Sequence, residues 1–157
     1  MDSITTAIAS LNFPIITEVS ILLDGTLFFG VCLLALLAFF EPRNEKRLKV
    51  IRVMILAFIL AISLKEIMKV PRPCMEIPGK IACPEDYSFP SSHAAVAFAL
   101  MIAFINKPTY PFFLAFAVFV ALSRVYLGVH TIDDVLAGLV IAPISYKMVD
   151  VLWTKKN

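Results

Sequence analysis

The sequence predicts an all-α membrane protein, a polytopic bundle of about five transmembrane helices led by an N-terminal interfacial helix. Three observations predict it. Of 157 residues, 60% are hydrophobic and 17% are charged, well outside the usual make-up of soluble domains. Apolar runs nearly free of charge recur near 25–40, 51–64, 89–105, 109–123 and 135–152, each close to the length that crosses a bilayer as a helix. No long polar segment offers material for a water-facing surface. A single membrane-embedded domain over 1–157 follows, without an internal repeat or a low-complexity tract.

The stretch from Asp2 to Leu23 is mixed and carries Pro14 and Glu18, so it reads as a helix lying in the interface rather than a sixth crossing. It lacks the basic start and small-residue cleavage site of a secretory signal and is expected to be retained. Arg43, Lys46, Arg47, Lys49 and Arg52 lie between or beside the first two runs, Lys107 in the 106–109 turn, and Lys147, Lys155 and Lys156 near the end. Basic loops stay on the cytoplasmic side. This predicts a plasma-membrane protein with an external N-terminus and a cytoplasmic C-terminus, with Trp153 as an aromatic anchor at the inner interface. Lys65, Lys69, Arg72, Lys80 and Arg124 fall on the external face, with the 66–88 and 124–133 loops.

A net charge of +2 is too small to argue for a nucleic-acid partner. Cys32 sits in an apolar run as a packed thiol. Cys74 and Cys83 share one polar loop, either as free thiols or as a disulfide. In an oxidising compartment such a bond would contribute about 3 kcal/mol.

Three clusters carry the chemistry. Lys65, Lys69 and Arg72 are spaced i, i+4, i+7, which predicts one helix face able to grip an anion, although single cations at a helix end also snorkel to headgroups. Phe89-Pro90-Ser91-Ser92-His93 opens the third run, with Pro90 expected in the first helical turn. There, free backbone N–H groups attract phosphate, Ser91 and Ser92 add hydroxyl donors, and His93 can protonate a leaving oxygen. A plain serine cap with an incidental histidine is the structural alternative. The third cluster is Ser123-Arg124, His130 and, four residues on, Asp134. That spacing lets a carboxylate orient one imidazole nitrogen and leaves the other free to attack, while the Arg fork suits a phosphoryl group. Thr131-x-x-Asp134 also approximates a capping box, and both roles can coexist. Asp133 is read as solvated. The only two histidines are thereby predicted at one membrane face among cations. No metal-ligand set is apparent in the sequence, and no cofactor is expected.

The order Lys65-x6-Arg72-Pro73, Pro90-Ser91-Ser92-His93 and Ser123-Arg124-x5-His130-x3-Asp134 resembles the three motifs of the type 2 phosphatidic acid phosphatase superfamily. Ser92 departs from the family's usual glycine, and the N-terminal segment carries no resemblance. The resemblance implies a small membrane-embedded helical core in which His130 attacks phosphorus, Asp134 orients it and His93 protonates the leaving group. Lys65, Arg72, Ser91, Ser92 and Arg124 would hold the phosphoryl oxygens; Lys69 is not a motif position. It further implies a lipid phosphate or diphosphate substrate reached by lateral diffusion. A small chain of this kind looks like the prokaryotic enzymes that recycle polyprenyl diphosphate carriers. Phosphatidate or phosphatidylglycerophosphate is the alternative substrate, and a non-catalytic lipid-phosphate carrier the alternative of another class. A soluble haloperoxidase with a similar anion site is disfavoured by the spanning runs.

Overall fold

The computed structural model describes residues 2–154, so Lys155 and Lys156 lie outside the described residues. Asp2 starts the first helix, α1 (Ser3–Ser10), by accepting the Thr5 N–H at 2.8 Å, an N-cap through its carboxylate. Pro14 opens α2 (Pro14–Asp24), where its missing N–H costs nothing. The two meet at 108°, so the expected interfacial helix is a bent pair. Then come α3 (Thr26–Phe40), α4 (Asn44–Met68), a 3₁₀ turn at Pro73–Met75, α5 (Ser92–Ala103), α6 (Tyr110–Tyr126) and α7 (Ile132–Thr154). No strand occurs among the described residues.

The centre of the bundle is α5, packed against α4, α6 and α7. Every residue from Ala94 to Met101 is buried, the signature of a helix that is apolar because protein surrounds it. Its four alanines in that stretch, Ala94, Ala95, Ala97 and Ala99, keep its surface slim. Gly138 of α7 exploits this: a Cβ there would stand 2.8 Å from the Ala95 nitrogen and 3.1 Å from the Ser91 carbonyl oxygen. We expect Gly138→Ala to lower stability by about 1–3 kcal/mol, since backbone and not a flexible side chain must yield. Thermal unfolding in detergent checks this, and an unchanged melting temperature would contradict the close packing.

The five apolar runs all become helices, but position and length give different answers about spanning. One described helix, Ile132–Trp153 within α7, is by itself long and apolar enough to cross a bilayer. The helices α3, α5 and α6 are apolar but shorter. α5, at 12 residues, rises only about 18 Å against a hydrocarbon core of about 30 Å. Apolarity in the 89–105 run reports burial inside the bundle, and a run of apolar residues does not distinguish protein from lipid as the burying medium. The outer surfaces are strongly apolar: Leu27 is 86% exposed, Phe39 81% and Val140 59%. Apolar surface on that scale marks contact with a membrane or with other protein.

At one end, Lys107 pairs with the buried Glu41, and Lys49 with Asp150 at 2.5 Å. Arg52 lies over the Trp153 ring, 4.9 Å from its centroid. The opposite end holds the long α4–α5 loop, the short α6–α7 loop and the α2–α3 joint. There Cys74 and Cys83 are disulfide-bonded, and Lys80 N donates to the Leu127 carbonyl at 2.9 Å. Gly128 makes that second loop possible, because its φ of +78° is open to glycine and strained for other residues.

Candidate active site

The first cluster reaches the site by a route the periodicity does not predict. α4 ends at Met68 because Lys69 adopts φ 49°, ψ 39°, so no helix face carries Lys65, Lys69 and Arg72 together. Lys69 is exposed and makes none of the contacts described below. Arg72 precedes Pro73, which disfavours helix at the preceding residue; it is extended, with φ −77° and ψ 145°. From there its guanidinium folds back under the loops. Nη1 donates to the Val129 carbonyl at 2.9 Å and faces His130 Nε2 at 3.2 Å. Nη2 meets Asp86 Oδ1 at 2.6 Å, and Nε donates to the Asp86 carbonyl at 2.9 Å. Lys65, in the last turn of α4 and 3% exposed, meets Asp86 Oδ2 at 3.0 Å and donates to the Tyr87 carbonyl.

The second cluster opens α5 one step later than expected. Phe89–Pro90 is a cis peptide, and Pro90 precedes the helix, because Ser91 is the N-cap and its hydroxyl accepts the Ala94 N–H at 3.4 Å. The capping role of Ser91 is therefore present. Its own N–H donates to the Asp134 carbonyl at 3.0 Å, tying the start of α5 to the start of α7. His93 follows in the first turn with its ring against Phe29, centroids 4.7 Å apart. Its Nε2 is buried and has no partner.

The third cluster joins both. Arg124, 3% exposed at the end of α6, pairs through Nη2 with Asp24 Oδ1 at 2.6 Å, while its Nε and Nη1 are buried without partners. Its charge acts on both imidazoles. Asp134 Oδ2 accepts the Thr131 N–H at 2.7 Å and the Ser88 hydroxyl, and lies 3.3 Å from His130 Nδ1. Asp134 N returns to the Thr131 hydroxyl at 3.3 Å, completing a reciprocal capping box. Cap and imidazole partner are thus one carboxylate.

These contacts assign the tautomer of His130. Arginine has only donors, so the nitrogen facing Arg72 accepts, and the proton resides on Nδ1 toward Asp134. Burial holds the His130 ring below its ordinary pKa, the Asp134 hydrogen bond opposes that, and Arg72 and Arg124 reinforce it. The ring is neutral, with a lone pair on Nε2 pointing among cations.

Three residues at the site escape the sequence reading: Asp24, Asp86 and Ser88. Burial raises the Asp86 carboxyl, but its hydrogen bonds to Lys65 and Arg72 outweigh this and hold it below the usual range. A cavity of about 310 Å³ between α3, α4 and α5 ends at Ser92 and His93, and its other walls include Phe29, Gly30, Leu33 and Phe58. No group of three or more His, Cys, Asp or Glu side chains suited to a metal ion occurs among the described residues.

The profile of the PAP2 superfamily matches residues 46–149. The chain belongs to the PAP2 superfamily. This PAP2 chain is 33% identical over 128 residues to sphingosine-1-phosphate phosphatase 2 of Mus musculus, covering 73% of itself and 35% of that protein. It is 38% identical over 71 residues to the putative undecaprenyl-diphosphatase YbjG of Escherichia coli K12, covering 43% of itself and 36% of that protein. It thus spans about a third of the length of these curated relatives. The crystal structure of Aquifex aeolicus LpxE superposes with a TM-score of 0.74 at 27% identity, over 93% of this chain and 92% of that one.

Proposed function

We propose that this protein is a membrane lipid phosphatase that works through a phosphohistidine and needs no metal. The observation that carries the reading is the His130 tautomer, with Nδ1–H turned to Asp134 and the Nε2 lone pair turned to Arg72. The unpartnered Arg124 nitrogens and the unpartnered Nε2 of His93 complete it. Donors fixed in a buried site before substrate arrives stabilise charge that develops in the transition state. In the first step the Nε2 pair of His130 forms a bond to phosphorus. The bond from phosphorus to the lipid oxygen breaks, its electron pair stays on that oxygen, and His93, which takes up a proton from water once the doubly charged phosphate lies beside it, supplies the proton. In the second step a water loses a proton to His93 and attacks phosphorus, and the electron pair of the P–N bond returns to Nε2. Lys65, Arg72 and Arg124, with the backbone N–H groups of Ser92 and His93, hold the three phosphoryl oxygens; the Ser91 N–H is committed to the Asp134 carbonyl.

The substrate carries its tail on the oxygen that His93 protonates, and the 310 Å³ cavity begins at that histidine. A methylene is close in bulk to a water, whose share of liquid is about 30 Å³, so roughly ten methylenes of a single chain fit. A polyprenyl diphosphate, cleaved to the monophosphate, fits this and is favoured by the resemblance to YbjG. A long-chain base phosphate is the second reading, favoured by the longer match to the sphingosine-1-phosphate phosphatase. The site faces the exterior, in keeping with the basic residues gathered at the other end.

Phosphate release from a panel of prenyl diphosphates, long-chain base phosphates, phosphatidate and phosphatidylglycerophosphate, in detergent with a chelator, tests the proposal. We expect turnover that the chelator leaves intact and that is fastest on single-chain substrates. Release from no lipid phosphate would favour a carrier, and chelator-sensitive turnover would reject the metal-free mechanism.

A further inference from the structure

The site neutralises itself with its own carboxylates. Asp86 bridges Lys65 and Arg72 at 3.0 and 2.6 Å, and Asp24 holds Arg124 at 2.6 Å. The cations are buried at 3–5% exposure, whereas the Asp86 side chain is 53% exposed and that of Asp24 30%. The cations are therefore built in and the carboxylates sit at the rim, each able to turn out into water. Arg124 keeps two buried nitrogens open beside them, so an incoming anion has somewhere to land before either carboxylate leaves.

From this we propose that Asp86, with Asp24 beside Arg124, is a specificity-determining residue that admits terminal phosphate groups and turns away phosphodiesters. The proposal rests on the phosphatase reading. A terminal phosphate carries a charge of about −1.5 to −2 at pH 7, and a phosphodiester carries one. Exchanging a singly charged carboxylate for a singly charged diester brings no additional charge to Lys65 and Arg72, and it forfeits the hydrogen bonds that Asp86 already makes. A dianion that displaces Asp86 alone brings up to about one further negative charge to the cluster and also reaches the open nitrogens of Arg124, so it succeeds where the diester does not. A bilayer presents phosphodiester headgroups in large excess over any lipid that ends in phosphate. A bare cluster of three cations opening onto it would be occupied by the wrong lipid, and the internal carboxylates prevent that.

The test compares the full chain with Asp86→Asn in neutral detergent micelles. Turnover of a lipid phosphate is titrated with phosphatidylglycerol as the singly charged diester. A parallel titration uses inorganic phosphate, at a pH where it is a dianion. We expect Asp86→Asn to become at least tenfold more sensitive to phosphatidylglycerol, with a smaller change toward phosphate, so that the ratio of the two inhibition constants moves. Two results overturn the proposal: a ratio that does not move toward phosphatidylglycerol, or weaker binding of both anions. The last would make Asp86 a positioning residue for Lys65 and Arg72. If Asp86→Asn does not fold, Asp24→Asn is measured by the same ratio and is expected to move it the same way. A wild-type protein that hydrolyses no lipid phosphate sinks the phosphatase reading; an active one whose variant ratio stays put sinks only this inference.

Discussion

Replacing His130 by alanine is expected to cut phosphate release about 10⁴-fold or more, the scale on which enzymes lose turnover when a covalent nucleophile is removed. The fold should survive the change. Arg72 retains the Val129 carbonyl and Asp86, and Asp134 retains the Thr131 N–H and the Ser88 hydroxyl, so no buried charge is orphaned. The variant should bind lipid phosphate still, and a rapid quench of wild-type turnover should trap a phosphoprotein that the variant never forms. Unchanged turnover would reject the assignment of the nucleophile. A second consequence concerns acid. Burial keeps the His130 pKa depressed in the folded protein, whereas an exposed histidine takes a proton near 6.5. Below about pH 6.5 the unfolded chain binds a proton that the folded site refuses, so stability falls as pH falls. His130→Ala removes that contribution, and its melting temperature should decline less than the wild type's between neutral and mildly acidic pH.

The bundle was legible in the sequence because hydrophobic burial is what hydropathy measures: the 25–40 run is α3 and the 109–123 run is α6, each within a few residues. What hydropathy omits is the nature of the burying medium, and so α5, cut short by its Ser91 cap and wrapped in protein, looked like a lipid-facing span. Charge conceals helix as well. Asn44 to Lys49 extends α4 well before its apolar core because Glu, Lys and Arg are good helix formers. In the site, Thr131 and Asp134 were legible because a capping box has a fixed local spacing. Asp24 and Asp86 had no comparable signal. Their partners are set by tertiary packing, with Asp24 brought to Arg124 from the far end of the chain. A hint existed all the same, since Asp24 is an acid between two apolar stretches, and such a charge needs a partner.

The carboxylate that caps α7 also orients the proposed nucleophile, and two substitutions separate these roles. Asp134→Asn is expected to lower kcat by about 10²–10³-fold with little change in KM, the scale on which turnover falls when one group that stabilises transition-state charge is lost. One oxygen, Oδ2, serves Thr131, Ser88 and His130 together. An asparagine oxygen left in that place still accepts from the Thr131 N–H and from Nδ1–H, but the amide has no negative charge to steady the positive charge that develops on the ring as Nε2 bonds to phosphorus. Thr131→Ala, by contrast, removes only the 3.3 Å bond from Asp134 N to the threonine hydroxyl. It should cost about 1 kcal/mol of stability as a lost cap contact and leave turnover within a few-fold. If Asp134→Asn falls no further than Thr131→Ala, the carboxylate is a helix cap alone and the orientation of His130 rests on Arg72. If kcat collapses while the melting temperature tracks that of Thr131→Ala, the negative charge beside His130 is what the loop is built to supply.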